Sequence, residues 1–265
     1  MPSPSRARPT GDPSSGPPAA ARGGVVWDVL RRALRDRARR AGGDGLDVLD
    51  LGGGSGSFAV PVAGLGHRVT VVDPSPDALF ALERRAAEED VADAVRGVQG
   101  DTQDVAEVAG RGAFDLVLCH GVLEHVEDPG AGLRAVAATL RPAGGTLSVL
   151  AAGAGGTVLA RALAGRFTEA RTALADPSGR WGAGDPVPHR FTVERLTALL
   201  AGAGLLPGQV HGVRIFEDLL PGTPWDVESD AAGALARLES EAATHPAFQA
   251  VAGQLHVLAE LPGEP

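Results

Sequence analysis

Between Leu46 and Ala151, five short apolar runs alternate with helical patterns through short connections. The runs are Leu46–Leu51, Arg68–Asp73, Val95–Gln99, Phe114–Cys119 and Thr146–Ala151. Strands separated by helices must pair in parallel, because each crossover has to return the chain to the same edge. The pattern therefore predicts an α/β, doubly wound, Rossmann-like sheet with helices on both faces. Helical spacing is expected over about Ser57–Leu65, Pro76–Asp90 and Pro129–Leu140, and before the first strand over Val25–Arg40. Gln254–Leu261 reads as a last strand. With a strand near Val210–Ile215 it completes seven strands, mostly parallel, the last antiparallel. From Gly153 to about Arg190 the alternation fails. A helical piece over Thr157–Leu174 and a Pro/Gly-rich loop over Asp176–His189 stand there instead. Such an insertion after the fifth strand lies at the carboxyl edge, where open α/β sheets bind ligands. Helices are also expected over Thr192–Gly202, with Thr192 as its cap, and over Asp230–Thr244.

The first strand runs into Asp50-Leu-Gly-Gly-Gly-Ser-Gly56. Glycines at 52, 54 and 56 permit a tight turn and a close approach of backbone to a ligand. The helix that follows adds free N–H groups and positive potential. The dinucleotide fingerprint is G-x-G-x-x-G; here the third glycine comes one residue early. Asp50 would repel a pyrophosphate at this place and suits a cationic amino group. Asp73 ends the second strand about twenty residues on, the position of a carboxylate that grips ribose hydroxyls. Asp101-Thr102-Gln103-Asp104 follows the third strand, where an adenine edge would lie.

Composition bounds the partners. The 265 residues fit one large domain, expected from residue 22 to 265, behind a proline-rich tail at 1–21 that is expected to be disordered. A net charge of −9 argues against a non-specific nucleic-acid binder. The arginines of Val25–Arg40 read either as a solvated face or as a patch for an anion or RNA. A single cysteine, Cys119, excludes an internal disulfide framework; it reads as a buried filler and is compatible with a reducing cytoplasm. No apolar run reaches the length of a membrane span, so a soluble, cytoplasmic protein is expected. No Cys/His/carboxylate cluster has metal spacing, and no metal is expected.

Taken together, Asp50–Gly56, Val72-Asp-Pro-Ser75, Gly100–Asp104, Asp115-Leu-Val-Leu-Cys-His120, Leu123-Glu-His-Val126 and Leu140-Arg-Pro-Ala-Gly-Gly145 resemble the class I S-adenosylmethionine (SAM)-dependent methyltransferases. Six segments in order at the right intervals carry this resemblance. Arg22–Trp27, Gln103–Val105, His120–Glu124, Ala164–Phe167, Gly212–Asp218 and His256–Ala259 narrow it. They are similar to the bacterial subgroup that contains the tRNA 5-carboxymethoxyuridine methyltransferase, which esterifies the carboxylate of a modified wobble uridine. The resemblance implies SAM as cofactor, held by Arg22, Gly52, Gly53, Asp73, Thr102, Gln103 and His120. Asp50, Gly54 and Asp101 join these from the reading of the turn and loop. Arg214 and His120 are candidates for positioning the substrate. Two segments depart from the subgroup. Ala152-Gly153 replaces an aromatic–Asn pair, and Asp176–Asp185, with Arg180 as its one cation, replaces a lysine-rich stretch.

A carboxylate acceptor needs no general base, whereas a hydroxyl or amine calls for one such as His120, Glu124, His125 or His189. For Glu124 and His125 a structural role in the turn is the stronger reading. His189 and Arg190 read equally as substrate contacts or solvated groups. Trp27 reads as core, and Trp181 and Trp225 are available to stack on a base. The partner is thus either tRNA or a small-molecule acceptor such as a carboxylic acid. A non-catalytic SAM-binding protein is the alternative from another class.

Overall fold

The computed structural model describes residues 24–43, 45–142, 144–220 and 230–263. The expected tail at 1–21, Arg22 and Trp225 lie outside them. Seven strands form one sheet in the order β3-β2-β1-β4-β5-β7-β6. They are β1 (Asp47–Leu51), β2 (Arg68–Asp73), β3 (Val95–Gln99), β4 (Leu116–His120), β5 (Thr146–Ala152), β6 (Leu206–Val213) and β7 (Gln254–Glu260). Strands β1 to β5 pair in parallel, and β7 runs antiparallel to both neighbours. The expected fold class holds, and β6 and β7 form the expected antiparallel edge.

The helices divide the core into two layers. On one face, Val48, Val69, Val71, Leu116 and Leu118 pack against α1 (Val25–Arg40), α2 (Ala59–Ala63) and α3 (Pro76–Glu88). Helix α1 contributes Trp27, Leu30 and Leu34, so the expected core role of Trp27 holds. Leu30 and Leu34 stand one turn apart and are fully buried, each contributing about 1.5–3 kcal/mol. On the other face, Leu49, Val117, Cys119, Val149 and Val257 pack against α5 (Pro129–Ala137) and α8 (Val193–Gly202). Cys119 is a buried filler, its thiol pushed well up by burial. Local chemistry sets the helix starts. Ser75 and Thr192 cap α3 and α8 by accepting the N–H groups of Ala78 and Arg195. Asp128 caps α5 by accepting from Gly130 and Ala131.

Several boundaries move for identifiable reasons. The helix expected to run from Ser57 to Leu65 is only Ala59–Ala63. The chain then turns through Gly66 at φ +91°. Helix α3 stops at Glu88 because Asp90 adopts φ +56°. The fourth strand begins at Leu116, and Phe114 before it makes only an isolated bridge to Leu140. The piece expected over Thr157–Leu174 is two helices, α6 (Ala154–Leu163) and α7 (Phe167–Ala175), broken at Gly165 with φ +72°. The sixth strand ends at Val213 because Arg214 turns out of it at φ +55°. Helix α4 (Val105–Val108), α9 (Ala231–Ala242) and α10 (Pro246–Gln249) complete the described set. Both α4 and α10 are too short to show periodicity. No helix of the described residues is long and apolar enough to cross a membrane.

The amino-terminal edge of the sheet is fastened by ion pairs. The Asp115 side chain, 4% exposed, accepts from Arg141 at 2.6 Å, Arg37 at 3.2 Å and the Asp47 N–H at 3.0 Å. Arg141 also bonds Asp47 at 2.6 Å, and Arg68 bonds Asp47 at 2.7 Å. Arg68 and Arg141 hold the Asp47 carboxyl below its usual value against the opposing effect of burial. In α1, Arg32, Arg37, Arg39 and Arg40 all bond within the protein, so the arginine-rich helix serves the fold in part. Replacing Asp115 by Ala leaves two guanidinium groups and a backbone N–H short of an acceptor. Urea unfolding of Asp115→Ala should show a loss of about 2–4 kcal/mol. A loss below about 1 kcal/mol, typical of surface pairs, would reduce the network to decoration.

Candidate functional site

The carboxyl ends of β1, β2 and β4 surround a cavity of about 760 Å³. Its walls include Gly52 from the glycine turn, Asp73 from the end of β2, and Asp101, Thr102 and Gln103 from the loop after β3. Five of the residues expected to bind the cofactor are therefore assembled around one space. Asp50, Gly53, Gly54 and His120 lie outside those walls, and Arg22 lies outside the described residues.

Asp73 organises the turn. One of its oxygens accepts the Gly54 N–H at 2.9 Å and the other accepts the Ser75 N–H at 2.9 Å. Each oxygen keeps a lone pair, which suits a ribose hydroxyl. The glycines have distinct reasons. A Cβ on Gly52, at φ +68°, would come within 2.6 Å of the Val122 side chain. One on Gly53 would come within 2.6 Å of the Asp50 carboxylate, and one on Gly56 would meet Leu82. These three make room for protein, not ligand. Gly54, at φ +54°, has only Asp73 Oδ2 near, at 3.9 Å, so its missing Cβ leaves space beside that carboxylate.

Asp50 lies beneath the turn, 2% exposed, with Oδ2 unpartnered. Burial pushes its carboxyl up to about 7; the charge of Asp73 adds to this and the Ala59 N–H opposes it. A buried carboxylate with an orphaned oxygen fits a cationic amino group, which would satisfy both its charge and its lone pair. In the loop after β3, Asp101 Oδ1 accepts the Gln103 N–H at 2.6 Å, and Asp104 Oδ1 accepts the Asp101 N–H at 2.8 Å. The carboxylates thus shape the loop. Thr102 is buried, with its methyl toward Gly132 of α5.

Much of the remaining wall is apolar: Leu51, Val72, Val122 and Val126 belong to the quoted motif segments, whereas Ala131, Gly132 and Ala135 of α5 carried no motif. Only the tight fit of Gly132 on Thr102, where a Cβ would stand 3.3 Å from the methyl, marks it out. His125 also lines the cavity. Glu124 is buried among backbone groups, its carbonyl accepting the His189 N–H at 3.1 Å, and burial raises its carboxyl.

The two substrate-side candidates are not brought together. His120 ends β4 and Arg214 follows β6, with β5 and β7 between them, about 14 Å across the sheet at the usual strand spacing. Both nonetheless stand at the carboxyl edge of the parallel strands. The Gly253 N–H donates to Arg214 O at 3.3 Å, and the Gly153 N–H donates to Gly253 O at 2.9 Å. Arg214 is half-exposed and pairs with Asp218.

The segment after β5 holds a buried ion pair that the sequence did not disclose. Arg190 Nη1 meets Asp185 Oδ2 at 2.6 Å and Nη2 meets Oδ1 at 3.0 Å. Burial alone would raise the Asp185 carboxyl; Arg190 and the Trp181 and Val187 N–H groups outweigh it and hold it low. Arg190 is therefore a folding residue, neither solvated nor a substrate contact. Trp181 has the Arg161 guanidinium 4.2 Å over its ring, which covers one stacking face. His189 Nε2 lies 3.3 Å from Glu127 O.

A family model described as a methyltransferase domain matches residues 49–147, the part of the chain that builds the cavity. The tRNA 5-carboxymethoxyuridine methyltransferase of Escherichia coli O157:H7 is 31% identical over 238 residues, 90% of this chain and 87% of its own length. The ubiquinone biosynthesis O-methyltransferase of Caulobacter vibrioides is 41% identical over 116 residues, 44% of this chain and 45% of its own. Among solved structures, an S-adenosylmethionine-dependent methyltransferase from Mesorhizobium loti superposes with a TM-score of 0.60 at 23% identity, covering 91% of this chain and 99% of that one. The glycine turn, Asp73 and the loop after β3 now stand in a fold shared along nearly the whole chain, and the chain belongs to the SAM-dependent methyltransferases.

Proposed function

We propose that this methyltransferase esterifies the carboxylate of a carboxymethoxyuridine-type wobble nucleoside in tRNA. The observation that carries this reading is the extent of the similarity. The Escherichia coli tRNA enzyme matches across 238 residues, whereas the Caulobacter small-molecule enzyme matches across 116. The longer match takes in the acceptor side as well as the cofactor side. There a half-exposed guanidinium, Arg214, stands beside the root of the segment that follows β5. Its planar fork suits a carboxylate or a phosphate.

The residues present fit the cofactor. Asp50, with its orphaned buried oxygen, would meet the amino group of the amino-acid end; Asp73 would take the ribose, and Thr102 and Gln103 the adenine edge. The cofactor supplies a methyl group activated on a sulfonium. The protein orients the acceptor in line with the carbon–sulfur bond and excludes water. A carboxylate is already a nucleophile, so no side chain has to remove a proton. A small carboxylic acid is the second reading. It is favoured by the acidic segment Asp176–Asp185, whose one cation is Arg180, and by the net charge of −9.

Mass spectrometry of nucleosides from tRNA incubated with the protein and SAM should show the methyl ester of the carboxymethoxy nucleoside. Arg214→Ala should raise KM for that tRNA about tenfold. Methyl transfer to small acids and none to tRNA would overturn the tRNA reading in favour of the second.

Asp50 carries a separate expectation. Unfolded, it ionises near 3.9; folded, it ionises at about 7. Folding takes up a proton between these values, so Asp50 lowers stability progressively as pH rises from about 4 to 7 and the cost is complete above that. The stability of Asp50→Asn relative to the wild type should rise from about pH 4 to 7, the other titrating groups being common to both, as read by urea unfolding without cofactor, and the variant should bind SAM about tenfold more weakly. An unchanged slope would remove the buried-charge account. Unchanged SAM affinity would remove the amino-group contact.

A further inference from the structure

A polar chain crosses the sheet behind the cavity. Ser148, fully buried in β5 between Leu147 and Val149, has its Oγ 2.8 Å from His120 Nε2 and 2.9 Å from His256 Nε2. The rings of His120 and His256 are 5.9 Å apart. Phe58 stands edge-on to His120 at 4.7 Å, and the His211 ring lies 6.0 Å from His256. The Nδ1 atoms of His120, His256 and His211 are all buried without a partner.

One hydroxyl carries one proton, and two imidazoles aim Nε2 at the same oxygen. Burial lowers His120 to about 3 and His256 well below its ordinary value, so both rings are neutral at physiological pH. Charging of His256 is opposed further by its neighbours His120 and His211, and Arg32 from α1 disfavours charging of His211. Two Nε2–H donors would leave the serine O–H orphaned in a residue of zero exposure; the satisfied arrangement has one ring donating from Nε2–H and the other accepting the serine proton at a bare Nε2. The accepting ring holds its own proton on Nδ1. If that ring were His256, an N–H without a partner would be sealed in a residue of zero exposure. A buried orphan donor is costlier and rarer than a buried orphan acceptor. The Nδ1 atoms of both rings are buried, but only the His120 residue is partly exposed, at the end of its strand and directly before Gly121, which lines the cavity. A bound ligand can relieve an unpaired N–H only at that end, so the Nδ1–H is assigned to His120.

We propose that Ser148 and His256 are positioning residues that lock His120 as its Nδ1–H tautomer, so that it offers a neutral hydrogen-bond donor to a carboxylate at the end of β4. This rests on the reading that His120 meets the cofactor or the acceptor, and it deepens that reading. With its Nε2 lone pair spent on Ser148, His120 has no base to offer. His120 thus suits an acceptor that has no proton to lose. A carboxylate oxygen forms its bond to the methyl carbon as the carbon–sulfur bond breaks, the electron pair stays on sulfur, and no proton is released. An alcohol or amine acceptor would have to discharge a proton, and this histidine cannot take it.

The test is the ring-nitrogen NMR spectrum of the full chain labelled with ¹⁵N-histidine at pH 7, with His120 and His256 assigned by their Gln variants. The expected result is His120 protonated on Nδ1 and His256 on Nε2. The reverse pair, or averaged tautomers, overturns the lock. Addition of S-adenosylhomocysteine should shift the His120 Nδ1 resonance. A resonance that stays put, with tautomers as expected, overturns the cofactor contact and leaves the lock standing. Ser148→Ala should mix the tautomers of His120 and weaken S-adenosylhomocysteine binding about five- to tenfold, and Ser148→Thr, which keeps the hydroxyl, should restore both. Unmixed tautomers in a folded Ser148→Ala overturn the proposal. If that variant does not fold, the wild-type spectrum decides alone.

Discussion

The carboxylate of Asp73 joins two turns that the chain makes far apart in sequence. By accepting one N–H from the glycine turn after β1 and another from the start of α3, it holds both loops at the carboxyl edge in a fixed relation. The cavity exists because of that relation. Gly52 and the loop after β3 can face each other only while the end of β2 stands between them. A parallel sheet supplies the strand ends, and a single acid turns two of them into one wall.

The opposite edge of the sheet is built on another principle. There Asp115, Arg37, Arg141, Asp47 and Arg68 neutralise one another and close the ends of β1, β2 and β4. The carboxylates at the base are paired with guanidinium groups, while at the top Asp50 Oδ2 and His120 Nδ1 have no partner. Stability and function thus occupy different ends of the same strands, which is the division an α/β fold permits.

What could be read in the sequence follows from how local each interaction is. Ser75 and Thr192 announce helix starts because a cap acts over three residues. The five parallel strands were legible from alternation, and the glycine turn, Asp73 and Asp101–Gln103 from spacing. Helices α4 and α10, four residues each, have no period to detect. The apolar wall made by Val122, Val126 and Gly132 has no chemistry to flag. Arg190 offered no sign that it would be buried, because its partner Asp185 lies within a loop and the choice between substrate and fold depends on closure of that loop. His256 was visible as a residue of the last strand. Its tie to His120 was not, because it passes through Ser148, a serine in a run of aliphatic residues, and becomes apparent only when β4, β5 and β7 lie side by side.

Gly153, Gly155 and Gly156 sit at the root of the segment after β5, each pressed onto the backbone of residues 250–253 so closely that a Cβ would overlap a carbonyl oxygen. Two stretches of main chain are in direct contact there, with no side chain to act as a spacer. That joint has no slack through which a bulkier residue could be accommodated or a new contact to substrate introduced. Under the proposed function, a change of acceptor would fall to the loop beyond α7 or to the surroundings of Arg214. The root itself is closed to such change, and the loss of a side chain at Gly153 is therefore a commitment rather than a gap waiting to be refilled.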